Sequence, residues 1–411
     1  MNKRNLFLWS LYDFANSIVF INFLLYFAQW LVIDGGLSDF SYNAIFAVTT
    51  VLLLVSAPVI AGYVDRNGGR KFFLNTATIG TIISYGLAVT VASLGSGYVV
   101  LAALLFLVGQ YFYQFSFVFY NAMIEDVASQ EKRGRASGIG YFANALGQFF
   151  GLLLTFQFAD SRLIPVGISI VAFSIFSLPM MLFFKESRVP RVAMSVKDLR
   201  ESTQVFFRQL LSFFVVSASV PMLIAFFLFN DAILTLANNF AIVLERVFVV
   251  DDMQKSLVLM GIVVMSGIGG ALSGWIADRI GFLKTLKLIL VAWLVALPIL
   301  AIVPESGSFI FFSIPIGLLI GSVFAVSRAY MSVLLSKDNM TYGFSFYTLA
   351  ERFATFAGPL VWGTIVLLGS SSETSYRLAV AAMALFILAG LLILVFFRRE
   401  NAVEFIPKRQ G

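Results

Sequence analysis

The stretch AGYVDRNGGRK, residues 61–71, closes one long apolar run and opens the next; GWIADRIGFLK, residues 274–284, does the same further along the chain. Each copy carries an Asp-Arg pair, a glycine two positions on and a lysine before the next apolar run. The pairs Asp65-Arg66 and Asp278-Arg279 are 213 residues apart. Two further acids repeat at nearly that offset: Asp126 and Asp338 are separated by 212 residues, Asp13 and Asp231 by 218. Three matched pairs imply a chain built from two similar halves, a layout that places binding sites where the halves meet.

The runs around these loops are long enough to cross a bilayer as helices, which takes about 20 apolar residues. Twelve are read, at 6–33, 43–64, 72–94, 98–127, 136–158, 163–184, 211–244, 256–277, 284–303, 308–335, 343–368 and 376–397. The composition agrees: 60% of the 411 residues are hydrophobic and 12% charged, against about 25% charged in a soluble domain. The expected fold class is an all-α membrane protein, twelve transmembrane helices in two pseudo-symmetric six-helix bundles. The bundles are read as 1–184 and 211–397, with a cytoplasmic linker at 185–210 and a cytoplasmic tail at 398–411.

A net charge of +6 is a feature shared with nucleic-acid-binding proteins, but its placement points to a membrane surface. With the N-terminus inside, the outer loops hold only Arg162, Arg246, Lys255 and Arg377 of the 28 Lys and Arg. Arg328 and Arg352 fall within apolar runs, and all the others lie on the cytoplasmic side. That bias predicts cytoplasmic termini, and a bacterial inner membrane is the expected location. The basic start MNKRNLFLWS precedes too long an apolar run for a signal peptide and reads as a retained first helix. With no Cys and no His, there is no thiol chemistry. A protonation switch near neutral pH would have to use a buried carboxyl group. No metal site, cofactor or nucleic-acid partner is expected, and the chain reads as a monomer.

Polar residues inside apolar runs are the candidate binding residues, because a charge there is costly unless it faces a cavity or a partner. In LYDFANS (11–17), Asp13, Asn16 and Ser17 share a helix face. Asp13 is either a hydrated residue near the cytoplasmic interface or a vestibule acid that pairs with a cation. In the seventh run Asp231, Thr235 and Asn238 share a face. The fourth carries the stripe Gln110, Gln114, Asn121 and Glu125, read as substrate contacts or as interhelical hydrogen-bonding glue. Arg328 needs a partner, with Glu351, Asp231 and Asp13 as candidates; it forms a structural ion pair or holds a substrate carboxylate. Asp231, Glu351 and Arg352 are the candidate coupling residues. Pro315 and Gly358-Pro359 are expected kinks, and GIVVMSGIGGALSGW (261–275) is expected to let helices pack closely.

The loop pattern of Asp65-Arg66 and Asp278-Arg279 is similar to the signature loop of the major facilitator superfamily. LYDFANS, FYNAMIEDVAS (119–129), ASGIGYFANALGQ (136–148), FLFNDAILT (227–235), SRAYMSVLL (327–335) and FAGPL (356–360) together resemble its vacuolar-effluxer branch, which includes autophagy-related amino-acid effluxers. The chain departs from that branch at Glu125-Asp126 and Glu351-Arg352. It lacks the helix-5 Gly-Pro motif of drug/proton antiporters; GQFFG (147–151) has no Pro.

The resemblance implies alternating access, with each loop Asp against the start of a helix in the other half. Each loop Arg would pair with the acid after the fourth or tenth helix. Asp65, Arg66 and Arg70 would then act with Asp126, and Asp278 and Arg279 with Asp338, as cytoplasmic gates. The expected function is secondary transport of a small polar solute, an amino acid or similar zwitterion, with a proton as the candidate coupling ion. An exporter of amphipathic drugs or lipids, and a receptor that kept the fold, are the alternatives. An intramembrane enzyme lacks its residues, and no phosphate-loop motif is present.

Overall fold

The computed structural model describes residues 1–37, 39–156, 158, 161–187, 219–248, 252–303, 309–354, 357–370 and 372–396. Most of the linker expected at 185–210 and the tail expected at 398–411 lie outside the described residues.

Every regular element among the described residues is helical. The helices are α1 (Lys3–Asn22), α2 (Asp39–Asn67), α3 (Arg70–Ala92), α4 (Val99–Ala122), the single turn α5 (Ile124–Val127), α6 (Arg133–Phe156) and α7 (Leu163–Phe183). They continue as α8 (Val220–Arg246), α9 (Asp252–Ile280), α10 (Phe282–Ile302), α11 (Phe309–Leu334), α12 (Met340–Phe353), α13 (Ala357–Leu368) and α14 (Glu373–Phe396). Ten spans are individually long and apolar enough to cross a membrane. The two remaining runs are α6, diluted by Arg133, Arg135, Asn144 and Gln148, and the eleventh run, which is split into a 14-residue and a 12-residue helix. Pro315 does not break α11, whereas Gly358 and Pro359 open α13 directly after the split.

Two other runs differ from a plain helix. The first continues beyond Asn22 as wide π-helical turns, Phe23–Phe27 and Trp30–Asp34. At that junction the Asn22 amide donates to Ile18 O (2.9 Å) and Gly151 O (3.3 Å). The fourth run stops at Ala122, and α5 carries Glu125 and Asp126 on a separate turn.

The chain forms two compact units. One comprises Met1–Gln130, Ala143–Leu210 and Lys337–Thr348; the other comprises Glu131–Phe142, Leu211–Ser336 and Leu349–Gly411. The first has an aromatic core. Phe23 stacks on Tyr85 with ring centroids 3.9 Å apart and on Phe106 at 5.6 Å, and Phe27 and Trp30 extend the cluster. The second is held by glycine contacts on two faces of α9. Gly269 meets Leu318 of α11, while Gly270 and Gly274 meet Tyr141, Gly134 and Gly138 of α6. A methyl group on Gly274 would collide with the Gly134 carbonyl, so these backbones approach as closely as only glycine allows.

Candidate functional site

The repeated loops cap helices. Between α2 and α3 the chain reverses through Gly68 and Gly69, both left-handed (φ 78° and 99°), a conformation glycine adopts without strain. That turn brings Asp65 to the first N–H groups of α12. Its carboxylate accepts from Thr341 N (3.0 Å) and Tyr342 N (2.7 Å). Arg70, 2% exposed, binds three groups at once. Its Nη2 reaches Asp65 (3.2 Å), its Nη1 reaches Glu125 (2.9 Å), and its Nε donates to Thr341 Oγ1 (2.8 Å). The second loop repeats the cap at α6, where Asp278 accepts from Gly134 N (2.9 Å) and Arg135 N (3.0 Å). A helix start carries unpaired N–H groups and partial positive charge, so a carboxylate there satisfies both.

The partners expected for the loop arginines are corrected. Arg70, not Arg66, is the buried arginine, and Glu125, not Asp126, is its second acid. Arg66 lies exposed with its Nε on Gly62 O (3.1 Å), and Asp126 accepts from Ser187 N (2.9 Å). The cause is the separate turn at α5, which turns Glu125 inward. In the second loop the Arg279 guanidinium lies 3.5 Å over the Trp275 ring of its own helix. At the position of Arg70 this loop has Leu283, so Asp278 relies on backbone N–H groups, with the Arg135 side chain 4.0 Å away.

Glu186 completes the first loop and was not among the residues picked from the sequence. It accepts from Gly69 N (3.0 Å), Arg70 N (2.8 Å) and Lys71 N (3.1 Å), capping α3, while Lys71 Nζ caps the end of α7 at Leu182 O (3.0 Å) and Phe184 O (2.9 Å). Burial pushes the Glu186 carboxyl above the usual carboxylate range, and the three N–H bonds and the Arg70 charge pull it part of the way back. Glu186→Ala would leave three helix-start donors uncapped. It is expected to cost about 1–2 kcal/mol, read as a lowered melting temperature in detergent; an unchanged melting temperature would remove the capping role.

Within the first unit the polar residues of α1 and α4 form one cluster. Asp13 is 2% exposed. Its Oδ2 accepts from the Tyr120 hydroxyl (2.9 Å) and its Oδ1 from the Asn144 amide (3.0 Å), whose own Oδ1 accepts from Gln148 Nε2 (2.8 Å). Asp13 is therefore not a hydrated interface residue, and these two partners are neutral rather than cationic. Trp9 stacks flat on Tyr120 (4.6 Å, 6°) and donates its Nε1 to Tyr120 O (2.9 Å). Asn16 is fully buried with neither amide atom hydrogen-bonded, and Gln114 Oε1 is likewise buried without a hydrogen bond. Buried amides in that state need a water or a ligand. Gln110 is engaged, accepting from the Tyr85 hydroxyl (2.5 Å), and Asn121 is buried near the end of α4. Tyr120 and Asn144 were legible only as an aromatic in the α4 stripe and as an i, i+4 pair with Gln148.

In the second unit Asp231 is fully buried and caps α13: Gly358 N donates to its Oδ2 (2.8 Å), and the Thr235 hydroxyl lies 3.5 Å from its Oδ1. Asn230 beside it is buried with both amide atoms lacking hydrogen bonds. Asn238 is exposed, so the expected trio of Asp231, Thr235 and Asn238 does not share one environment. Arg328 is bound by α6, its Nε donating to Ser137 Oγ and its Nη2 to Ser137 O, both at 2.8 Å. The expected pairing with Glu351 or Asp231 is not formed, because each acid is held elsewhere. Glu351 lies 3.7 Å from Arg352, its sequence neighbour, in the last turn of α12.

Two bacterial proteins are similar to this chain in sequence. An uncharacterized MFS-type transporter, YxiO of Bacillus subtilis (strain 168), is 22% identical over 96% of this chain and 95% of its own. An uncharacterized protein of Aquifex aeolicus (strain VF5) is 22% identical over 86% of each. Among solved structures, the human organic anion transporter MFSD10 (TETRAN) superposes with a TM-score of 0.73 at 15% identity, covering 95% of this chain and 99% of its own. A variant of the Escherichia coli fucose:proton symporter, FucP, superposes with a TM-score of 0.68 at 14% identity, covering 97% of each. At those identities the two structures speak for the fold alone, which is the all-helical fold expected from the apolar runs. The family description Major Facilitator Superfamily matches residues 6–247 and 205–411, so both halves are accounted for, and the chain, an integral multi-pass membrane protein, belongs to the major facilitator superfamily.

Proposed function

We propose that this transporter moves a small polar solute, an amino acid or similar zwitterion, by alternating access between two six-helix bundles at 1–184 and 211–397, with both termini in the cytoplasm of a bacterial cell. The observation that carries this reading is the pair of capping contacts. Asp65 on α12 and Asp278 on α6 each join a loop from one half of the sequence to a helix start in the other. Contacts of that kind hold when the cytoplasmic side is shut and part when it opens, so they bias a two-state equilibrium. A receptor with no transport cycle has no need of two such contacts.

The solute class rests on the similarity to the vacuolar-effluxer branch and on the buried amides of Asn16, Gln114 and Asn230, which favour a polar ligand over a lipid. Arg328 supports it less than expected, since its guanidinium is engaged by Ser137. A thermal-shift screen of amino acids, peptides, nucleosides and amphipathic drugs on the purified protein, followed by counterflow in proteoliposomes, tests the reading. Amino acids are expected to raise the melting temperature and to exchange. Stabilisation by amphipathic drugs alone would favour an exporter of such compounds, and no counterflow with any solute pool would favour the receptor.

A further inference from the structure

The start of α6 and the last turns of α11 hold each other through a reciprocal pair of arginines. Arg133 Nη1 on α6 donates to Ser332 O on α11, and Arg328 on α11 donates back to Ser137 on α6. Each serine lies about one helical turn beyond the arginine of its own helix. All four residues are buried.

The two arms differ in what the serine presents. Ser332 turns its hydroxyl to Ala329 O of its own helix (2.6 Å) and gives Arg133 its carbonyl. Ser137 gives Arg328 two oxygens. Its carbonyl accepts from Nη2 and its hydroxyl from Nε, both at 2.8 Å, while the hydroxyl proton goes to Ala325 O (2.7 Å). Two parallel N–H groups on one edge of a guanidinium are what a carboxylate grips with its two oxygens. A single residue of this chain thus fills a carboxylate seat with neutral acceptors.

We propose that Ser137 is a placeholder for a solute carboxylate, which takes the Nε–Nη2 edge of Arg328 when α6 and α11 part. This rests on the transporter reading above and names the chemistry of one end of its solute. α6 comes from the first half of the sequence and α11 from the second, so alternating access separates them. Against α9 the start of α6 packs through glycines, Gly134 and Gly138 on Gly274 and Gly270, a smooth contact. The arginine clasp and the Asp278 cap are directional, so they set what parting costs. Parting without a solute takes two acceptors from a buried charge that cannot be shed. A carboxylate replaces both, with opposite charge and bidentate geometry. Only this edge changes hands, whatever the Nη1 side meets. The solute then binds one state better than the other, which is what a ligand needs to shift a conformational equilibrium.

Thermal shift of the full-length protein in detergent tests this, with small carboxylates and their carboxamides as paired probes: amino acids and amino-acid amides, acetate and acetamide, lactate and lactamide. In the wild type at least one carboxylate is expected to bind about ten-fold tighter than its amide. Arg328→Gln and Arg328→Lys are expected to lose that preference, since Lys keeps the charge without the fork. Ser137→Ala is expected to move the other way and bind the carboxylate tighter, because one competing oxygen is gone. A merely structural Ser137 would leave binding weaker or unchanged. No carboxylate preferred over its amide in the wild type, a preference kept in both Arg328 variants, or no tightening in Ser137→Ala would overturn the proposal. Should Arg328→Gln fail to fold, Arg328→Lys and Ser137→Ala decide. Carboxylates without an ammonium group that bind while amino acids do not would keep the seat and refute the zwitterion reading. Amino acids bound no better than their amides would keep that reading and refute the seat.

Discussion

Arg70→Ala is expected to give the largest loss of any single substitution in the first unit. Arg70 is buried and joins three elements through one planar group: Asp65 at the end of α2, Glu125 on α5 and Thr341 at the start of α12. Removing it leaves two carboxylates in a buried space without the charge that joins them. Breaking a buried ion pair by deleting one partner costs about 3–5 kcal/mol. The loss falls on the arrangement in which Asp65 caps α12, so both thermal stability in detergent and counterflow should drop. Arg70→Lys restores the charge but not the fork, since an ammonium is a compact point charge that does not span all three partners; an intermediate loss is expected. Wild-type melting and flux in Arg70→Ala would show that the cluster does not hold the helices.

Gly358→Ala is expected to be nearly as damaging, for a steric reason. A methyl group at that position would run into the Thr235 hydroxyl and come within 2.8 Å of Asp231 Oδ1. Both neighbours sit on α8, both are buried, and Asp231 is held in place by the very N–H that Gly358 donates. Overpacking of this kind costs about 1–3 kcal/mol, and displacement of the capping carboxylate adds about 1 kcal/mol. Asp231→Asn makes the contrast, because an Asn oxygen caps a helix about as well as Asp. It should melt close to the wild type, while Gly358→Ala melts well below it. Equal melting temperatures for all three proteins would mean that α8 and the start of α13 do not depend on this contact.

The sequence alone determined the class of the molecule and its repeat. Long apolar runs are set by the bilayer, and the matched loops at 61–71 and 274–284 are visible as strings because each is local. The same locality let Asp65, Asp278, Asp13 and Asp231 be singled out, since an acid in or beside an apolar run is conspicuous wherever it points. Tertiary structure decided which groups meet. Arg66 and Arg70 look equivalent in a string, and so do Glu125 and Asp126; a left-handed turn at Gly68-Gly69 and a break after Ala122 bury one member of each pair and expose or redirect the other. Arg328 donates to a serine on α6, and Glu186 reached α3 from more than a hundred residues away. Hydrophobic periodicity reports how one segment meets lipid or core. A hydrogen bond has a range of about 3 Å, so its partner is fixed only once the helices have packed.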